Sequence, residues 1–132
     1  MIHSSQLLRR ALLADAVFSG TSAVAMVLDA GALASLLGLP EALLRETGLF
    51  LIAYTALVGF LAARTSLPKG PVILVVAGNA AWTLASVALL LSGAVSPNLV
   101  GTLVVLAQAI ATGVFAELQF VGLRRSEGMA AA

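Results

Sequence analysis

Two carboxylates stand inside apolar runs of the chain: Asp15 in ADAVFSGTSAV (14–24) and Glu117 in VFAELQFVG (114–122). A charge among acyl chains is costly, and intramembrane acids mark ion, proton or substrate paths. Amides, hydroxyls and amphipathic rings recur in the same kind of run: Ser19, Ser22, Tyr54, Asn79, Trp82, Thr83, Ser86 and Gln108. With Asp15 and Glu117 they make up a candidate intramembrane polar or ligand site. Two chemistries are open to such a set. The acids can exchange a proton during transport, or the polar groups can orient an amphipathic ligand in an apolar pocket.

A plainer reading competes with both. Small polar residues in membrane helices serve as packing seams that hydrogen-bond across a bundle. Both acids fall about one turn inside the same end of their runs, roughly 6 Å deep at 1.5 Å per residue. Arg9, Arg10, Arg64 and Arg124 lie at that end, which predicts interfacial ion pairs for Asp15 and Glu117. Tyr54 and Trp82 fall near mid-run, away from the interfacial belt, and their OH and NH need partners there.

Catalysis lacks its parts. The single histidine, His3, is in the N-terminal tail, cysteine is absent, and no phosphate loop, Ser-His-Asp set or His-Glu metal motif occurs. The expectation is a non-enzymatic protein with no cofactor and no metal site. A net charge of +1 gives no footing for nucleic acid, which needs clustered cations facing phosphates.

The elements that must position these residues follow from composition. Hydrophobic residues make up 61% of the 132, charged residues 10%, and mean hydropathy is +1.08. Soluble domains run near half apolar and a quarter charged, and a chain this small cannot bury such a surplus in water. Its solvent is lipid. A bilayer core of about 30 Å needs about 20 apolar residues per helix. Four stretches reach or approach that length: 11–28, 47–63, 72–91 and 99–121. The fold expected is all-α, a transmembrane four-helix bundle forming one membrane domain over 1–132.

Breaks between the spans carry turn chemistry, at Gly31, at Gly38-Leu39-Pro40, in SLPKGP (66–71) and in GAVSPN (93–98). The apolar connector AGALASLLGLPEALLRE (30–46) reads as a helix extension or a short helix at the interface. The tail RRSEGMAAA (124–132) is expected to fray. Arg9-Arg10 before an apolar stretch, with Ala23-Val24-Ala25 behind it, imitates a cleavable signal. Asp15 interrupts that stretch and the apolar run continues past Ala25, so the segment reads as the first span. Arg9, Arg10, Arg64, Lys69, Arg124 and Arg125 fall on one side of the spans, against Arg45 alone on the other. That split predicts cytoplasmic N and C termini in a bacterial inner membrane.

An internal echo relates the halves. ADAVFSGTSAVA (14–25) aligns with GNAAWTLASVAL (78–89), setting Asp15 over Asn79, Phe18 over Trp82, Ser19 over Thr83 and Ser22 over Ser86. Tyr54 then falls over Gln108 and Gly59 over Gly113. The reading is two pseudo-repeated helical hairpins running in the same direction, related by an axis along the membrane normal. It predicts Asp15 and Asn79 at equal depth, both turned into the bundle. Asp15, Ser19, Ser22, Met26 and Asp29 share one helical stripe, and Gln108, Thr112, Phe115 and Gln119 share another.

Asp15 followed by Gly20-Thr21 resembles the first span of the small multidrug resistance exporters, which carries a membrane glutamate and a Gly-Thr pair. The lysine-containing signature of their second span has no counterpart in TGLFLIAYTALVGFLAAR (47–64). LLRRALLADAVFSG (7–20) and GNAAWTLAS (78–86) are similar to uncharacterised small integral membrane proteins of proteobacteria, over nearly the whole chain. That resemblance implies a topology and no activity. The functional expectation is binding of membrane lipid, a small amphipathic ligand or another membrane protein. The alternative is a small homo-oligomeric, proton-coupled transporter using Asp15 or Glu117.

Overall fold

The computed structural model describes residues 1–131. Four long helices dominate: α1 (Gln6–Leu28), α3 (Glu41–Ala63), α4 (Lys69–Ser92) and α5 (Leu99–Ala131). A short α2 (Ala30–Leu37) and two-residue strands β1 (Ile2–His3) and β2 (Ser66–Leu67) complete the order β1-α1-α2-α3-β2-α4-α5. All four long helices are long and apolar enough to cross a membrane. The chain is a membrane-type helical bundle.

The spans expected from hydropathy sit inside these helices, and the differences have local causes. The helix α1 begins at Gln6 because Ser5 caps it, its hydroxyl accepting the Leu8 N–H at 3.2 Å. The connector divides at Gly38, whose φ of 70° ends α2, so that Glu41 already opens α3. Lys69–Pro71, expected as turn, are the first residues of α4, since proline in a first turn forfeits no helical hydrogen bond. The expectation of a frayed tail is also overturned over 124–131, where α5 continues, while Ala132 lies outside the described residues. Ser126 is fully buried, accepts the Ser5 N–H at 2.8 Å and donates to the Gly122 carbonyl at 2.8 Å. Glu127 pairs with Lys69 at 2.9 Å. At 1.5 Å per residue α5 extends about 50 Å, past the about 30 Å of a bilayer's hydrocarbon.

Helix packing sets the site. The helix α1 lies along both α3 and α5, and α5 lies along α4. The pair that would close this ring, α3 and α4, has no comparable backbone approach. Small residues allow the close contacts elsewhere: a Cβ on Gly122 would stand 2.7 Å from Leu8 Cα, and one on Gly48 2.8 Å from Met26 Cβ. Two apolar clusters fill the ends of the interior. One gathers Leu8, Leu12, Val58, Leu61, Val72 and Leu123, the other Ala30, Leu37, Leu39, Leu44 and Val105. The polar residues lie between them. Outside, Val17, Leu28, Leu84, Leu91 and Ile110 are exposed, as a lipid-facing surface requires.

Strands β1 and β2 pair antiparallel, Ile2 opposite Leu67, and the Ser4 N–H donates to the Thr65 carbonyl at 2.9 Å. The N-terminal strand, the α3–α4 connection and the last turns of α5 therefore share one end of the bundle. Arg9, Arg10, Arg64, Lys69, Arg124 and Arg125 all belong to that end.

Candidate functional site

Asp15 is fully buried and joins all four long helices. Its Oδ2 accepts from Tyr54 OH at 2.7 Å, Asn79 Nδ2 at 2.8 Å and Gln119 Nε2 at 2.8 Å. Its Oδ1 accepts from Ser19 Oγ, one turn on in α1, at 2.9 Å. Asn79 Nδ2 also donates to Gln119 Oε1 at 2.9 Å. Every partner of the carboxylate donates, three of them to Oδ2 and one to Oδ1. They stand in for the water that lipid cannot supply.

Ion pairing, the role expected for Asp15 and Glu117, is not what the structure shows. Among the described residues the ion pairs are Arg45–Glu41 and Lys69–Glu127. Asp15 is turned into the bundle and fully buried, whereas Arg9, Arg10, Arg64 and Arg124 are all exposed on its outside. Glu117 is exposed on the outer face of α5 and takes no part in the buried cluster.

A second polar layer lies deeper along α4 and α5. Trp82 Nε1 donates to Gln108 Oε1 at 2.8 Å, and Gln108 Nε2 donates to Ser86 Oγ at 2.9 Å. The Ser86 hydroxyl donates to the Trp82 carbonyl at 2.7 Å. Thr83 and Thr112 share a hydroxyl–hydroxyl bond of 2.8 Å, and Thr83 also reaches the Ala109 carbonyl at 3.0 Å. The amphipathic rings thus find the polar partners their depth demands: Tyr54 at Asp15, Trp82 at Gln108.

Aromatic rings bridge the opening between α3 and α4. Phe50 stacks on Trp82 with centroids 6.1 Å apart and planes within 2°, and on Tyr54 at 6.5 Å and 18°. Behind this stack is a cavity of about 110 Å³ whose lining includes Phe18, Ser22, Phe50, Tyr54, Asn79 and Trp82. It adjoins two others along the same opening. One, of about 360 Å³ and reaching Leu57 and Leu74, shares Phe50, Tyr54 and Gly78 with it. The other, of about 270 Å³ and reaching Leu44 and Leu89, shares Met26, Trp82 and Gln108. The result is an apolar slot between two helices, with a polar strip set into its middle.

No protein-family model, curated protein or solved structure matches the chain.

Of the residues expected at the site, Asp15, Ser19, Tyr54 and Asn79 meet in one hydrogen-bonded cluster, and Trp82, Ser86 and Gln108 in another. Thr83 bonds the Asn79 carbonyl at 3.0 Å and links the layers. Ser22 lines the slot. Gln119 was not among the expected site residues, although it is fully buried and closes the Asp15 cluster. Its place on the Gln108–Thr112 stripe carried that signal. Phe50 had none, because one more phenylalanine in an apolar run is indistinguishable from a lipid-facing one.

Proposed function

We propose that this is a non-enzymatic membrane protein that holds a small amphipathic molecule, a lipid among them, in the slot between α3 and α4. The observation that carries the reading is the unclosed α3–α4 edge: an apolar cleft between two spans, with Tyr54, Asn79 and Gln108 in its wall. A lipid-accessible cleft of that kind gives apolar area for a chain and a few fixed polar groups for orientation, the usual make-up of a ligand site. The protein is placed in a bacterial inner membrane with both termini cytoplasmic, supported by the gathering of six cations at one end of the bundle.

The two hairpins, α1–α3 and α4–α5, are read as related by duplication. Asp15 and Asn79, aligned in sequence, meet at 2.8 Å inside the bundle, which supports equal depth. The relation would make α1–α5 and α3–α4 equivalent edges. One is packed and the other open, so the slot occupies the place where the symmetry fails.

Gly78 provides the test. It lines two of the cavities, and a Cβ built there meets nothing within 4 Å, so the side chain added by Gly78→Leu starts in open space on the wall of the slot. Wild-type protein purified in mild detergent should carry a hydrophobic small molecule detectable by mass spectrometry. Gly78→Leu should carry several-fold less. Equal amounts in both would reject the slot as the binding site.

A second reading keeps Asp15 for proton-coupled transport by an oligomer, favoured by a buried carboxylate that binds four donors and no cation. Reconstituted Asp15→Asn would then lose a pH-driven flux that the wild type supports. Glu117, exposed on α5, stands apart from that chemistry.

A further inference from the structure

We infer that the slot takes one chain of an anionic phospholipid, whose phosphate sits at the end of the bundle between Arg64 and Lys69. The inference rests on the slot proposed above and adds the class of headgroup and the direction in which the molecule lies.

The direction follows from where the cavities run. The two cavities nearest the cation-bearing end extend from Leu74 to Trp82 along α4, about 12 Å of helix rise. One leaflet's hydrocarbon is about 15 Å deep. The stretch is thus the right length for most of one acyl chain entering from that end. Trp82, fixed by its bond to Gln108 and stacked on Phe50, stands where the chain would finish.

The headgroup follows from what stands above the slot's mouth. Arg64 follows the last residue of α3 and Lys69 is the first of α4, so each of the two helices that form the slot carries a cation at its end on this side of the bundle. From Leu74 back to Lys69 is about 8 Å of helix, comparable with the about 5–8 Å of polar layer on each side of a bilayer. Arg64 uses its Nε on the Ser66 carbonyl, 3.1 Å away, and its guanidinium lies 5.3 Å from the exposed Phe60 ring centroid. Its terminal nitrogens remain for an anion. Lys69 is half-exposed and paired with Glu127 at 2.9 Å. Arg64, Lys69 and Glu127 together carry one net positive charge, the complement of a single phosphodiester. A zwitterionic lipid would bring a further cation to a place that already has a surplus.

Native mass spectrometry of the full chain can test this, using phosphatidylglycerol and phosphatidylcholine with identical chains, and glycerol phosphate as a chainless competitor. The expectation is preferential retention of phosphatidylglycerol, falling about fivefold for each cation removed in Arg64→Gln and Lys69→Gln, since each basic side chain near the surface attracts an anionic lipid by that order. Arg64→Lys should retain the preference. Both substituted side chains are solvent-exposed, and unchanged circular dichroism would confirm that the variants fold. A preference for phosphatidylglycerol that persists in the double variant would overturn the inference. So would glycerol phosphate displacing the lipid as well as a second lipid does, because the site would then read phosphate without the slot. Gly78→Leu separates the two levels: loss of both lipids in that variant, with no effect of the charge changes, would keep the slot and reject the headgroup assignment. Retention of both lipids in Gly78→Leu would reject the slot itself.

Discussion

Replacing Asp15 by alanine removes the one acceptor that α3, α4 and α5 share. Tyr54, Asn79 and Gln119 would each lose a bond of 2.7–2.8 Å to α1. Interhelical hydrogen bonds in membranes are worth about 0.6–2 kcal/mol each, so the three together amount to about 2–6 kcal/mol. Removing a buried charge returns part of its desolvation cost, which places the expected loss toward the lower half, about 2–4 kcal/mol. Asparagine should behave differently. Its oxygen can keep the three interhelical donors while its NH2 donates to the Ser19 hydroxyl, which accepts as readily as it donates. The Asp15→Asn cost should stay near 1 kcal/mol, the scale of exchanging charge-assisted for neutral bonds. Unfolding in mixed micelles, followed by circular dichroism and by the emission of Trp82, the sole tryptophan, measures both. An Asp15→Ala midpoint equivalent to wild type within about 0.5 kcal/mol, the ordinary scatter of surface substitutions, would show that the cluster does not hold the helices together.

Two glycines should respond in opposite ways. Gly122→Ala drives a Cβ to 2.7 Å from the Leu8 backbone and should destabilise the bundle by about 1–3 kcal/mol, as overpacking does. Gly59→Ala meets nothing within 4 Å and should be neutral or stabilising by up to about 1 kcal/mol through helix propensity; thermal scans of the two variants check both. Reporter fusions at Ala132 and in the 94–98 turn should give opposite signals, with the C-terminal one cytoplasmic. Mixed or reversed signals would reject the assignment of the cation-bearing end to the cytoplasm.

The spans were legible in the sequence because twenty apolar residues in a row admit few structures in lipid. Their ends were less so. Ser5 as a cap and Ser126 as a buried partner both depend on α1 meeting α5, contacts that composition does not encode. The polar stripes indicated which residues would face inward, and Asp15, Ser19, Asn79 and Gln108 do take part in interhelical or buried bonds. What periodicity could not give was the identity of partners. Depth along the helices sets arginines near Asp15, but Arg9 and Arg10 are exposed on α1 whereas Asp15 is turned into the bundle. The open α3–α4 edge was not legible at all, since it is a contact that is missing, and Phe50 acquires its role only by spanning that gap.

Trp82 offers the most direct view of the central claim, because it lines the slot and is the only tryptophan in the chain. In bilayers of lipids brominated along one acyl chain, collisional quenching of Trp82 reports whether a chain enters between α3 and α4. Chains brominated near the bilayer centre should quench Trp82 strongly, and Gly78→Leu should reduce that quenching in otherwise identical membranes. Weak quenching in the wild type, or quenching that Gly78→Leu leaves unchanged, would contradict the claim.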